Sequence, residues 1–577
     1  MAGRSAYSGS GRTNSRLGFF PLLTLSAFAV PIMVGLTGTW LPAMGWLPVV
    51  GANQFSLAIF SELFSHPVFA GACRTTLLSG VGATLVALVA TLWMTIATYG
   101  TWLWRLSLRA LAPLLAMPHA AVAIGFAFLV APSGWLIRLV SPELTGFTTP
   151  PDWLTVRDPY GLGLMLVLAI KEIPFLLLMS VSGLSQLDME QIGWVGRSLG
   201  YSRFQVWMRL VVPQLYPQLR LPVLAVLAYS LSVVDVAMIV GPSLPPSLAV
   251  VVDRWFNDAD VHFRLLGAAG ATWLLLMTCL AAGLLLAAER LVWRLGAARL
   301  IDGRRDPAGR WWQGGMGFSL LVLLLVSLAC LLVLVAWSCT DRWPFPEPLP
   351  SSYSLRFWYK GLALATGPLL TTLLVALLAT GIAVVLVIGC LEHEVWLVGQ
   401  GRRLDLQRLM WLIYLPLLVP QIAFLFGMQS AAVLFHVEGT LAGVVAVHLV
   451  FVLPYIFLTL AGVYRRFDLR YSQVATMLGA SSLRVFFQVK LPMLAKPVAF
   501  AVATGFAVSV AQYLPTMYLG AGRFATITTE TVILATGSNR RLIAVYALCQ
   551  LLLPALIYGL AILLPAWFFR NRKGMQN

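Results

Sequence analysis

The feature that most limits what this chain can fold into is a succession of apolar runs of 20 residues or more with no Asp, Glu, Lys or Arg. They are Phe19–Gly38, Thr75–Trp104, Ala110–Ile137, Leu265–Ala288, Trp311–Thr340, Gly361–Leu391, Leu409–Val437, Gly439–Tyr464, Pro497–Gly522 and Leu542–Phe569. A helix that crosses the hydrocarbon needs roughly 20 such residues, because every backbone polar group must be bonded within the segment. Two more runs, Tyr160–Gln186 and Leu221–Val252, carry isolated ionisable residues. The pattern predicts an all-α, polytopic membrane protein of about twelve transmembrane helices. Only 11% of residues are charged, too few for the surface of a soluble globule, where about a quarter is usual.

Positive charge sets the expected orientation. With both termini in the cytoplasm, the cytoplasmic segments hold 27 of the 39 Lys and Arg; the reverse orientation leaves eleven there, with Lys171 inside a span. Topology therefore accounts for the net charge of +17, and no nucleic-acid partner is required. The six cysteines have neither disulfide nor metal-ligand spacing.

The chain also repeats itself. Leu199-Gly200 and Leu478-Gly479 are each followed, thirteen residues after the glycine, by a proline, Pro213 or Pro492. The offset of 279 continues without a gap to Gly241 and Gly520. Pro118 and Gly125 echo Pro420 and Gly427, Pro174-Phe175 echoes Pro454-Tyr455, and Thr-Thr-Leu-Leu begins at Thr75 and again at Thr371. Two similar six-helix halves are expected, 19–288 and 316–569, joined by a basic linker at 289–315. Short cytoplasmic tails at 1–18, Ser/Gly/Arg-rich and disordered, and at 570–577 flank them.

Each half places a long amphipathic loop between its fourth and fifth spans. Trp194, Val195, Leu199, Phe204, Trp207 and Leu210 alternate with Arg197, Arg203 and Arg209 in the first; Val474, Met477, Leu478, Val485, Phe486 and Val489 with Arg484 and Lys490 in the second. Such a segment lies on a membrane surface or seats in a partner's groove. This pattern resembles the cytoplasmic loop of binding-protein-dependent ABC importer permeases: Glu-Ala-Ala, three residues, Gly, then Leu-Pro. The resemblance implies coupling segments at Trp194–Ser202 and Gln473–Ser481. The residues that would meet an ATPase are Trp194, Arg197, Leu199, Gly200, Tyr201 and Ser202, and Gln473, Met477, Leu478, Gly479, Ala480 and Ser481. The family glutamate is replaced by Trp194 and Gln473, and half one has Val212-Pro213 in place of Leu-Pro.

The double-length form is similar to the fused permeases of ferric-iron and thiamine-type importers, and Ala511–Gly537 resembles the thiamine-type branch. The resemblance implies an inner-membrane transport subunit without cofactor, served by two copies of an ATPase that binds ATP and by a periplasmic or lipid-anchored binding protein. The sequence itself has no Gly-Lys pair and hence no phosphate loop, and no catalytic motif, so no enzymatic activity is expected. Lys171, Glu172, Asp235 and Gln512 are candidates for the translocation path, since polar groups in spans are costly. Pairing of Lys171 with Asp235 or Glu172 for helix packing alone is the competing reading. His119 and His448 suit ordinary interhelical hydrogen bonds. Pro242, Pro245, Pro246 and the acidic stretch Asp253–Asp260 could serve a binding protein or merely form a solvated loop. An ion-gradient-driven transporter of the twelve-helix type remains the alternative at this level.

Overall fold

The computed structural model describes residues 18–48, 51–302, 311–400, 413–537 and 539–568. Residues 1–17 of the expected N-terminal tail, 303–310 of the linker and the whole C-terminal tail lie outside the described residues. Among the described residues, ten helices are long and apolar enough to cross a bilayer, or eleven when the bent pair Ser482–Met493 and Ala495–Val510 is one span. A shorter apolar helix, Ile422–Leu434, occupies the place of the expected ninth span. Among the described residues, sheet is confined to two small antiparallel hairpins, β1 (Trp46–Leu47) with β2 (Ala52–Asn53) and β3 (Thr340–Arg342) with β4 (Ser352–Tyr353).

The first half comprises α1 (Phe19–Ala43), α2 (Ala58–Ser65), α3 (Phe69–Thr98), α4 (Trp102–Ala116), α5 (His119–Val130), α6 (Trp135–Val140) and α7 (Leu162–Leu184). It continues through α8 (Met189–Ser198), α9 (Arg203–Val206), α10 (Val212–Ser232), α11 (Asp235–Val240), α12 (Leu248–Phe256) and α13 (His262–Ile301). The second half begins with α14 (Trp311–Ser338), α15 (Arg356–Gly399), α16 (Ile422–Leu434), α17 (Leu441–Arg465), α18 (Arg470–Met477) and α19 (Ser482–Val485). It ends with α20 (Leu491–Met493), α21 (Ala495–Val510), α22 (Leu514–Gly520), α23 (Ile527–Ala535) and α24 (Arg540–Phe568). Hydroxyls in these helices bond back to their own carbonyls, as Thr76 to Ala72 and Thr84 to Gly80, both at 2.8 Å. That return bond is how Ser and Thr enter an apolar helix without an orphaned donor.

Four runs expected as single spans are broken among the described residues; Leu409–Val437 is interrupted at Val419–Pro420 before Ile422–Leu434. Ala110–Ile137 divides into α4, α5 and α6, because Pro118 has no N–H to continue the ladder and holds Met117 extended (ψ 120°). Leu221–Val252 ends as a span at Val233 and resumes as α11 and α12, separated by a stretch containing Pro242, Pro245 and Pro246. Pro497–Gly522 divides into α21 and α22. The helices α13 (40 residues) and α15 (44 residues) exceed what a bilayer needs and carry their far turns beyond it. Both α13 and α14 run into the region expected as linker.

The repeat is visible as geometry. Helix α12 begins at Leu248, whose N–H donates to Thr76 Oγ1 of α3 at 2.8 Å; 279 residues later the N–H of Ile527, first in α23, donates to Thr372 Oγ1 of α15 at the same distance. The repeated Thr-Thr pair thus caps the same helix start in both halves. The first helix of each half, however, packs in the other half. Helix α1 lies against α16, where Gly35 and Gly427 meet backbone to backbone, a Cβ on either would overlap its neighbour, and Gly427 N–H donates to Thr39 Oγ1 at 3.2 Å. Helix α14 lies against α5, where a methyl group on Gly125 would come within 2.7 Å of the Cys330 carbonyl oxygen. The echoed glycines, Gly125 and Gly427, are the seats for these exchanged helices.

Candidate functional site

Each long loop folds into an elbow, and the two share one backbone design. In the first, Asp188 caps α8 by accepting from Gln191 N at 3.0 Å. The helix closes on Gly200 (φ +74°), with Gly200 N bonded to Arg197 O at 2.9 Å and Tyr201 N to Gly196 O at 3.0 Å. In the second, α18 closes on Gly479 (φ +84°), with Gly479 N bonded to Thr476 O at 2.9 Å and Ala480 N to Ala475 O at 3.1 Å. This pair of bonds needs a left-handed residue, which is why glycine stands there. Ser202 and Ser481 then start α9 and α19. A π-helical turn follows in each, Trp207–Val211 and Phe486–Lys490, before Pro213 or Pro492 enters the first turn of the next helix. The thirteen-residue spacing from glycine to proline is the length of this assembly.

The elbows present apolar side chains that stand exposed among the described residues. Trp194 is 63% exposed, with the Arg197 guanidinium 4.8 Å above its ring, and Leu199 is 46% exposed. Tyr201 is half-buried under Arg209, 5.1 Å from its ring. In the second elbow Gln473 and Ser481 are exposed, Ala480 is half-buried, and Met477 and Leu478 are each 82% exposed. Asp468, Arg470, Tyr471, Val474, Ala475 and Leu478 line a shallow depression there of about 470 Å³.

The expected path residues separate in the structure. Lys171 makes no ion pair within 4 Å with Asp235 or Glu172, although the Glu172 charge acts on it; its ammonium donates to Leu114 O at 2.9 Å. Leu114 is four residues before Pro118, so its carbonyl lacks a helical partner and Lys171 supplies one. Glu172, 6% exposed, meets His119 Nε2 at 3.2 Å. Asp235 opens α11 and Gln512, buried, stands between α21 and α22; these are the equivalent breaks of the two halves. His448 is held by Ser509 at 2.8 Å and Thr516 at 3.0 Å, an interhelical packing bond.

Around these groups stand tyrosines that hydropathy alone does not single out. The ring of Tyr229 lies 4.9 Å from that of His119, and Tyr229 interacts electrostatically with Asp235, Glu172 and, from the second half, Tyr455. Tyr513 OH reaches Met238 Sδ at 3.8 Å, and Tyr518 OH donates to Asp253 Oδ1 at 3.1 Å, both across the halves. Phe256 and Phe426 stack across the same boundary, 4.1 Å apart at 6°. Asp253 therefore turns towards the second half rather than into the expected acidic surface, while Pro242 and Pro246 are buried and Pro245 packs on Gly71.

A helical, twice-repeated membrane protein with matching elbows belongs to a definite class, and sequence similarity specifies it: the chain belongs to the permease proteins of ABC transporters. It is 36% identical over 523 residues to the inner membrane ABC transporter permease protein YnjC of Escherichia coli (strain K12), across 90% of this chain and 93% of YnjC. No family model matches the chain. It is accordingly a multi-pass protein of the inner membrane.

Proposed function

We propose that the chain is the permease subunit of an ABC importer, forming the translocation pathway between halves 19–288 and 316–569, with the elbows and both termini in the cytoplasm. The observation that carries this reading is the pair of matching elbows, 279 residues apart, whose apolar faces stand exposed among the described residues. Two copies of an ATPase subunit seat on them, bind the ATP, and close together, turning the pathway between inward- and outward-facing states as rigid bodies. The chain itself needs no cofactor. A periplasmic or lipid-anchored binding protein delivers the cargo at the opposite end.

Glu172 and Asp235 lie buried near Tyr229, Tyr455 and Tyr513, but Lys171 and His119 stand beside Glu172, so the charges of this cluster roughly cancel and do not set the cargo's charge. A thiamine-like compound or ferric iron as cargo rests on the resemblance of the double-length form and of Ala511–Gly537 to those permeases. Replacing Gly200 or Gly479 by valine forces a branched residue into the left-handed region and distorts the elbow. In proteoliposomes containing the ATPase and binding protein, both variants should hydrolyse ATP with little uptake; normal uptake by both would remove the elbows from the mechanism. Uptake that needs ATP and survives a protonophore separates this reading from an ion-driven transporter.

A further inference from the structure

The second elbow runs into a helix pair bent by 77° at Leu494. The last buried side chain before that bend is Lys490, 4% exposed. Its Nζ lies 2.6 Å from Glu392 Oε1, 4.4 Å from the centre of the Tyr464 ring and 5.6 Å from that of Phe467. Tyr464 OH donates to the same Glu392 oxygen. Two residues on, Glu394 holds Arg465 at the end of α17 with bonds of 2.7 and 3.0 Å. Glu392 and Glu394 both belong to the elbow end of α15. A buried ammonium strongly resists separation from its carboxylate, so the elbow and α15 are joined at this point.

Twenty residues back along α15, about 30 Å at 1.5 Å per residue, Thr372 accepts the first N–H of α23. Helix α15 is therefore a continuous rod from the elbow to the far end of the molecule. In the first half α3 has the equivalent place: Thr76 holds the start of α12, and Arg203 of the elbow donates to Tyr99 O at the other end of α3. The position matching Lys490 is Val211, so among the described residues the second half alone joins elbow to rod by a buried charge.

We propose that Lys490 is a positioning residue that, through Glu392, passes displacement of the second elbow into α15 and on through Thr372 to α23. This rests on the coupling role proposed above. It is tested with the chain assembled with its ATPase in lipid nanodiscs, spin-labelled at Leu244 and Thr536, which are exposed on the far side of the two halves. Pulsed dipolar spectroscopy reads the label separation before and after trapping with ATP and vanadate. The unsubstituted complex should change separation on trapping. Lys490→Gln and Glu392→Gln should each reduce the shifted-to-unshifted ratio about two- to thirtyfold. Lys490→Arg should keep the shift, and the exchanged pair Lys490→Glu with Glu392→Lys should recover most of it. Thr372→Val, which alters no charge, should also lose it. If Lys490→Gln fails to assemble, Glu392→Gln and Thr372→Val decide. A full shift in assembled Lys490→Gln, or in both Glu392→Gln and Thr372→Val, overturns the proposal and leaves the permease reading intact. An unsubstituted chain that binds no ATPase, or does not move on trapping, overturns that reading instead.

Discussion

The first elbow is anchored mainly by apolar burial, with Arg209 paired to Asp302 at 2.8 Å at its edge, and the second by a buried charge, although one backbone design serves both. Val206, Trp207 and Val211 are buried in a cluster with Leu176, Leu184 and Leu215, closed by Leu320 and Leu323 of the exchanged helix α14. Beyond them the chain continues as one 30-residue helical stretch, Arg203–Ser232. In the second elbow no residue of α18 is buried, and Lys490 alone is buried in the π-helical turn. The helix then bends by 77° at Leu494, between Pro492 and Pro497, whereas the first half keeps Pro213, Pro217 and Pro222 within one unbroken helix. Duplication has kept the residues that dictate backbone path (glycine, serine, proline) while the side chains that fasten that path have diverged. The first elbow is held firmly in place; the second is hung from a joint.

The largest effect should come from removing the apolar anchor. Trp207→Ala empties a well-packed site and should cost about 3–5 kcal/mol locally, read as loss of amide-exchange protection over 203–211 with the second elbow unchanged. Lys490→Met should be next. Removing one member of a buried pair costs about 3–5 kcal/mol, lowered here to about 2–3 because the Glu392 side chain is 25% exposed. Its signature is faster exchange over 482–493, with 203–211 unchanged. Gly200→Ala and Gly479→Ala should cost about 1–2 kcal/mol each, and equally, since both glycines occupy the left-handed region. Unequal costs would mean that the shared backbone design is not the same in its surroundings. Smallest of all, Arg470→Ala should change stability by less than about 0.5 kcal/mol, because its contact with Asp468 is 3.9 Å long and open to solvent. A larger change would place that pair in a network the second elbow depends on.

Hydropathy made the spans legible, since a membrane segment writes its length and composition directly into the chain. The elbows' backbone was legible for a related reason: Gly200, Gly479, Pro213 and Pro492 each impose a local conformation whatever surrounds them. What remained hidden depends on distant partners. The break at Pro118 frees the Leu114 carbonyl, yet nothing in the chain's order says that Lys171 will satisfy it. The exchange of α1 and α14 rests on close backbone approach at Gly35, Gly427 and Gly125, and a glycine in an apolar run carries no address. Asp253 with Tyr518 and Lys490 with Glu392 are likewise pairings of residues separated by 265 and 98 positions.

The exchange of first helices has a consequence for how the protein is made. Helix α1 is synthesised first, but its seat on α16 begins at Ile422, some 379 residues after Ala43. At 5–20 residues per second, that is a wait of about 20–80 s with the Gly35 face turned to lipid or to a biogenesis factor. Either half, produced alone, would lack the glycine seat, Gly427 or Gly125, that its own leading helix fits. Splitting the gene between the halves should therefore yield two polypeptides that mature only when translated side by side.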